Sequence, residues 1–170
     1  MRKLILMRHA KAEAKAASGD DFDRALAERG RQDAALMGRV LAEAGLTPDL
    51  ALVSAAERTR QTWAGLAGTF AETAVRFERK LYNATSHAIR EAIERAADQA
   101  DTLIVVGHNP GIPVAMLELM IEGAEPASTI DKARASFPTA SAAVFEFDEA
   151  MRPRFWNLYF AKDHGGGAGE

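Results

Sequence analysis

The side chains best suited to chemistry lie at the ends of three apolar runs. Arg8 and His9 follow "LILM", His108 follows "LIVVG", and Arg58 comes four residues after Ser54, which ends "LALVS". Guanidinium and imidazole groups donate hydrogen bonds to oxyanions, and the helix N-termini that follow strands supply further N–H groups. If the three ends meet, this set suits a phosphate or another tetrahedral oxyanion.

Each of these residues also has an ordinary structural explanation. A histidine at a strand end is often a polar surface group or a satisfied core residue, and helical arginines such as Arg58 and Arg60 usually face solvent. The joint occurrence at three strand ends favours a site. His87 and His164 have no such context, and we expect them at the surface. The four histidines show no HExxH or other close ligand spacing, so we predict no metal site.

Alternating strand and helix patterns predict an α/β fold. A three-layer sandwich is expected, with a mixed, mostly parallel sheet and helices on both faces. In such sheets, sites form outside the carboxyl ends of the strands, which would bring the three polar ends together. The patterns predict strands near 3–7, 48–54, 75–77, 102–106, 141–148 and 154–160, and helices over 26–44, from about 56, over 86–97 with Ser86 as cap, and over 114–121.

Composition limits the function classes. Lys and Arg number 21 against 24 Asp and Glu, and a net charge of −3 argues against broad binding to nucleic acid or anionic membranes. There is no cysteine, hence no disulfide or thiolate nucleophile. No apolar run approaches the ~18 residues of a membrane span. We expect a soluble cytoplasmic protein with one domain, residues 1–163, and a disordered glycine-rich tail, residues 164–170.

Three segments together carry a family resemblance. "LILMRHAKA", "SAAERTRQT" and "VVGHNPG" resemble, in order, the motifs of the histidine phosphatase superfamily. Ala10, where that signature has glycine, the Asn-Pro-Gly after His108 and the short chain are similar to the SixA-like branch of phosphohistidine phosphatases. The segment "DFDRALAERGRQDA", residues 21–34, also resembles that branch. The implied fold is phosphoglycerate mutase-like.

The resemblance implies a role for each strand-end residue. His9 would be the nucleophile that forms a covalent phosphohistidine, while Arg8, Arg58 and His108 would bind the phosphoryl oxygens. No metal or cofactor is implied. Cationic neighbours favour the unprotonated imidazole that nucleophilic attack requires. Lys11 is left without an assigned role.

The leaving group separates the possible substrates. Relatives that cleave sugar or alkyl phosphates use a carboxylic acid to protonate the departing oxygen, and Glu78 in "FERKLYNA" is the candidate here. SixA-like proteins are thought to act without such an acid, which suits phosphohistidine in a partner protein. A small-molecule phosphomonoesterase and a non-catalytic phosphate- or phosphoprotein-binding module remain open, and a mutase is less favoured. Loops at 10–25 and 122–140 show no specificity code, and the oligomeric state stays open.

Overall fold

A six-stranded sheet lies between two layers of helices in the computed structural model, which describes residues 1–167. Short 3-10 helices at Asp21–Asp23, Arg79–Leu81, Ala97–Gln99 and Ala161–His164 complete the connections. The strands are β1 (Lys3–Arg8), β2 (Leu50–Ser54), β3 (Ala74–Glu78), β4 (Thr102–Gly107), β5 (Ala142–Phe147) and β6 (Pro153–Tyr159). The helices are α1 (Glu28–Glu43), α2 (Glu57–Ala67), α3 (Ser86–Ala96), α4 (Gly111–Glu122) and α5 (Ala127–Ala135).

The sheet has the mixed, mostly parallel order that the sequence predicts. Its strands run β3-β2-β4-β1-β5-β6. The first four are mutually parallel, β5 is antiparallel to β1, and β6 is antiparallel to β5. Arg8 pairs with Gly107, and Ser54 follows the last β2–β4 pair. The carboxyl ends of β1, β2 and β4 therefore meet at one edge, as expected.

Burial of both sheet faces explains the continuous apolar runs. Leu4 and Leu6 of β1 pack on one side under α3 and α4, whereas Ile5 and Met7 pack on the other side under α1 and α2. All four are fully buried. A strand covered on both faces needs apolar residues at every position, because successive side chains point in opposite directions. The three-layer α/β class is confirmed.

Two local predictions are wrong in detail. The N-cap of α3 is Thr85, whose hydroxyl accepts from the Ala88 N–H at 3.2 Å, so Ser86 is already the first helical residue. The region predicted as a loop over 122–140 contains α5. This helix follows Pro126 and is anchored by buried Ala133. Only one of its nine residues is buried, which is too few to produce a clear helical period.

Residues 165–167 of the glycine-rich segment pack against the rest of the chain. The Gly167 N–H donates to Asp33 Oδ1 at 3.0 Å, and the Gly166 N–H donates to the Ala161 carbonyl at 2.9 Å. Asp33 is a buried carboxylate of α1, and these contacts hold residues 165–167 against it. Residues 164–167 thus differ from the disordered tail predicted for 164–170. The remainder of that prediction, 168–170, lies outside the described residues.

Among the helices of residues 1–167, none is both long and apolar enough to cross a bilayer.

Candidate active site

His9 is fixed by backbone contacts on both sides of its position. Its N–H donates to the Gly107 carbonyl of β4 at 3.0 Å, and its carbonyl accepts from the Ala140 N–H at 3.0 Å. The first contact continues the β1–β4 pairing for one residue beyond the strand. The second comes from the loop that leads into β5. His9 is only 8% exposed, so the strand end carries it as part of a rigid support.

One hydrogen bond determines where the His9 ring holds its proton. Nδ1 lies 2.7 Å from the Ala10 carbonyl oxygen. A carbonyl can only accept, so Nδ1 carries the hydrogen and Nε2 of the neutral ring keeps a lone pair. Burial, and then the charges of Arg58 and Arg8, lower the pKa of His9 from 6.5 to about 4, although the Ala10 bond acts in the opposite direction. His9 is therefore neutral near pH 7, and its Nε2 keeps a free lone pair.

Thr62 of α2 holds the backbone of Ala10 through its N–H. Its hydroxyl accepts from the Ala10 N–H at 3.0 Å and donates to the Arg58 carbonyl at 2.7 Å. Thr62 is fully buried. Ala10, whose carbonyl accepts from His9, is therefore linked through its own N–H to the helix that carries Arg58.

His108 lies beside His9, directly after β4. The two ring centroids are 5.4 Å apart. His108 Nε2 is 2.7 Å from the Ser54 hydroxyl, which can donate or accept and so suits either tautomer. Burial, and then the neighbouring His9 and Arg58, lower the pKa of His108 to about 3. Its Nδ1 is buried and has no hydrogen-bond partner within residues 1–167.

Arg58 enters the site from the first turn of α2. Only 5% of its side chain is exposed. Nη1 donates to the Asp21 carbonyl at 2.8 Å, and Nη2 donates to Asp21 Oδ2 at 3.1 Å. The short connection from Ser54 to Glu57 places this turn at the sheet edge, where the guanidinium charge lowers the pKa of both histidines.

Arg8 contributes a second cation. Its Nη1 donates to the Phe137 carbonyl at 3.2 Å, and its backbone N–H donates to the Ser141 carbonyl at 3.0 Å. Its charge lowers the pKa of both His9 and His108. The structure thus brings all four predicted strand-end residues to one edge of the sheet, next to the loop 137–141.

Glu78 lies at the same edge of the sheet, on the outermost strand next to β2. It pairs with Ser54 at the end of β3, and its side chain lines a surface groove on the α3 side together with Arg76 and Arg95. No hydrogen bond or ion pair in the described part of the chain links the Glu78 carboxyl to His9, His108 or Arg58. The geometry gives no support to Glu78 as a general acid.

Three site residues were not identified from the sequence: Ser54 as a partner of His108, Asp21, and Tyr82. The Tyr82 ring stands edge-on to His108 at 5.5 Å, and its hydroxyl donates to Asp21 Oδ2 at 2.5 Å. Phe22 packs edge-on against Tyr82 at 5.0 Å. The resemblance of residues 21–34 to family members was the available signal, but it did not single out Asp21.

The arrangement suits transfer of a phosphoryl group. The His9 ring, with a lone pair on Nε2, lies near a second imidazole and two guanidinium groups. The guanidinium charges can neutralise the oxygens of a tetrahedral oxyanion, and the second imidazole can donate a hydrogen bond to one. Within residues 1–167, no group of three or more His, Cys, Asp or Glu side chains is placed to hold a metal ion.

Comparison with known sequences identifies a family and several relatives. Residues 4–85 match the model of the histidine phosphatase superfamily (branch 1). An uncharacterised Mycobacterium tuberculosis protein is 36% identical over 138 residues, which is 81% of this chain and 85% of that protein. A Mycobacterium leprae counterpart, also uncharacterised, is 32% identical over 141 residues, with the same shares covered.

Solved structures give the same assignment. A candidate phosphohistidine phosphatase SixA from Agrobacterium tumefaciens is 28% identical with a TM-score of 0.82, and the match covers 94% of this chain and 97% of that one. A candidate phosphohistidine phosphatase SixA from Nakamurella multipartitia is 29% identical with a TM-score of 0.83, over 94% and 95% of the two chains. A Plasmodium falciparum phosphoglycerate mutase, 14% identical with a TM-score of 0.63, shares the fold over 94% and 90%.

Proposed function

The chain belongs to the histidine phosphatase superfamily, in its SixA-like branch, and on this basis we propose that it is a phosphatase that removes phosphoryl groups from phosphohistidine in a protein. The reaction proceeds through a covalent phosphohistidine on His9. The observation that carries the proposal is the hydrogen bond from His9 Nδ1 to the Ala10 carbonyl, which leaves Nε2 unprotonated beside His108 and Arg58.

In the first step, His9 Nε2 attacks phosphorus. A new N–P bond forms while the P–N bond of the substrate breaks. The electron pair of the broken bond becomes the lone pair of a neutral departing imidazole, because the other nitrogen of the substrate ring already carries a hydrogen. Arg8 and Arg58 neutralise charge on the equatorial oxygens, where charge stabilisation matters most, and the neutral His108 ring donates a hydrogen bond to one of them. In the second step, water attacks phosphorus and the His9 N–P bond breaks. Inorganic phosphate leaves and the neutral ring is restored.

Asp21 and Tyr82, which lie beside Arg58 and His108, favour phosphohistidine over alkyl phosphates as the substrate. Hydrogen bonds from Tyr82 and Arg24 hold the pKa of Asp21 far below its usual range, so this carboxyl is ionised and cannot donate a proton. The hydrogen bond to Asp21 raises the pKa of Tyr82, and its proton is directed at that carboxylate. An alkoxide leaving group needs an acid, whereas the imidazole of phosphohistidine departs without one. The two SixA relatives are described as candidate enzymes for this substrate.

A single-turnover labelling experiment tests the proposal. The protein is mixed with radiolabelled phosphorylated histidine-containing phosphotransfer protein and quenched in alkali within the first turnover. We expect an alkali-stable, acid-labile label on His9. The His9→Ala variant should lose the label and at least ~10³-fold in turnover, as removal of a nucleophile usually does. His87→Ala, at an exposed histidine, is the matched control.

The alternatives give different results. A small-molecule phosphomonoesterase would turn over alkyl phosphates faster than the phosphoprotein. A binding module would retain labelled phosphoprotein reversibly, without hydrolysis. Near-wild-type turnover by His9→Ala would overturn the assignment of His9 as nucleophile.

A further inference from the structure

Asp21 contacts the outer edge of Arg58 with two different groups. We propose that Asp21 is a positioning residue that holds the end of the Arg58 guanidinium so that its inner edge, which includes Nε, faces the phosphoryl oxygens. This inference rests on the proposed phosphatase function and adds a residue to its machinery. Asp21 itself touches no reacting atom.

Both outer nitrogens of Arg58 are engaged by the same residue. Nη1 donates to the Asp21 backbone carbonyl at 2.8 Å and Nη2 to its carboxylate at 3.1 Å. A guanidinium has five N–H groups in a fixed plane, so two contacts at one end determine the direction of the others. Because the side chain is only 5% exposed, little space remains for another rotamer.

The Nε–H group, on the other side of the Arg58 guanidinium, still needs a hydrogen-bond acceptor. Nε is buried and makes no hydrogen bond to any atom of residues 1–167. A buried donor without an acceptor is costly, and native structures usually supply one. Guanidinium groups bind phosphate through two adjacent N–H groups. A phosphoryl group held by Nε–H and the neighbouring outer N–H would satisfy this orphaned donor.

Asp21 is itself held by its neighbours. Oδ2 also accepts from the Tyr82 hydroxyl at 2.5 Å, and Oδ1 accepts from Arg24 Nη1 at 2.9 Å. These bonds, from Tyr82 first and then Arg24, hold the pKa of Asp21 far below the usual range, so its charge persists at working pH. The adjacent Asp20 caps the 3-10 helix by accepting from the Phe22 N–H at 3.0 Å. These hydrogen bonds therefore hold Asp21 in the position from which it contacts Arg58.

A competing role for Asp21 predicts a change in phosphate affinity in the opposite direction. If the carboxylate instead masks Arg58 from the substrate, its neutralisation would strengthen phosphate binding. If it positions Arg58, the same change weakens phosphate binding and slows turnover. The sign of one affinity change separates the two.

The test uses Asp21→Asn, with Asp23→Asn as the matched control. Asp23 lies in the same 3-10 helix, is exposed, and accepts from the Ser18 hydroxyl rather than from Arg58. Inorganic phosphate binding is measured by calorimetry, and kcat/KM with para-nitrophenyl phosphate. For Asp21→Asn we expect roughly 10-fold losses in both, and for Asp23→Asn less than about twofold.

A double-mutant cycle shows whether Asp21 acts through Arg58. In an Arg58→Lys background, which lacks the planar fork, Asp21→Asn should change kcat/KM by less than about twofold. Equal losses in both backgrounds, or tighter phosphate binding by Asp21→Asn, would overturn the proposal. If the wild-type protein neither binds phosphate nor turns over substrate, the proposed function itself fails. Wild-type activity with an unaffected Asp21→Asn variant contradicts only the positioning role.

Discussion

At the scale of single residues, the chemistry depends on which ring nitrogens carry protons. The Ala10 carbonyl fixes the hydrogen of His9 on Nδ1. His108 differs, because its Ser54 partner can either donate or accept. In the proposed reaction, a histidine with a fixed tautomer attacks beside one whose tautomer can change, which suits a cycle in which phosphoryl oxygens gain and lose charge.

The position of Glu78 leads to a prediction at this scale. Glu78 lines the groove on the α3 side with Arg76 and Arg95 and makes no hydrogen bond or ion pair to His9 among the described residues. Glu78→Gln should therefore leave kcat/KM within about twofold for both phosphohistidine and para-nitrophenyl phosphate. Both rates are measured by steady-state release of product. A loss of more than about 10-fold confined to the ester would show that Glu78 protonates the leaving group after all.

At the scale of elements, the site is an assembly of neighbouring strand ends. β1 supplies Arg8 and then His9, while the segment after β4 supplies His108. Helix α2 adds Arg58 from its first turn. The loop 137–141 closes the remaining side, because β5 runs antiparallel to β1 and must begin where β1 ends. The hydrogen bonds of Thr62 join two of these elements.

Substitution of Thr62 tests that link. Thr62→Val keeps the shape but leaves the buried Ala10 N–H without an acceptor, which should lower the free energy of unfolding by ~1–3 kcal/mol. Urea titration gives this value. Because Ala10 orients His9, kcat/KM should also fall, whereas Thr62→Ser keeps the hydroxyl and should retain most activity. Equal activity of the Val and Ser variants would contradict the link.

At the scale of the whole molecule, the buried histidines of the site lower the free energy of unfolding at acid pH. His9 and His108 are nearly buried, and burial lowers their pKa from 6.5 to about 4 and about 3. Below pH 6.5 the unfolded chain takes up protons that the folded chain does not, so the free energy of unfolding falls as pH falls towards 4. Two such groups make this loss on the order of a few kcal/mol.

The prediction is a melting temperature that decreases markedly between neutral pH and about pH 4.5. His108→Gln cannot take up a proton, so the difference between its two melting temperatures should be roughly half that of the wild type. Scanning calorimetry measures both. His87→Gln, at an exposed position, should keep the wild-type difference. A His108→Gln variant with the full wild-type difference would mean that the buried histidines do not control acid stability.

The local sequence pattern alone predicts the fold of this protein and the position of its four strand-end residues. Apolar runs, the residue types at their ends and the parallel arrangement predict the α/β sandwich and the meeting of Arg8, His9, Arg58 and His108. These inferences hold because a strand buried on both faces must be apolar throughout, and parallel strands share a carboxyl edge.

Only the tertiary structure decided which other groups join the site. Asp21 reaches Arg58 across 37 positions and Tyr82 reaches Asp21 across 61. Such contacts depend on the path of a polar loop with no periodicity to indicate it. The same applies to Glu78, which strand pairing places beside Ser54 but whose side chain lines a groove with Arg76 and Arg95. Strand ends follow from the hydrophobic period, whereas loop contacts depend on three-dimensional packing.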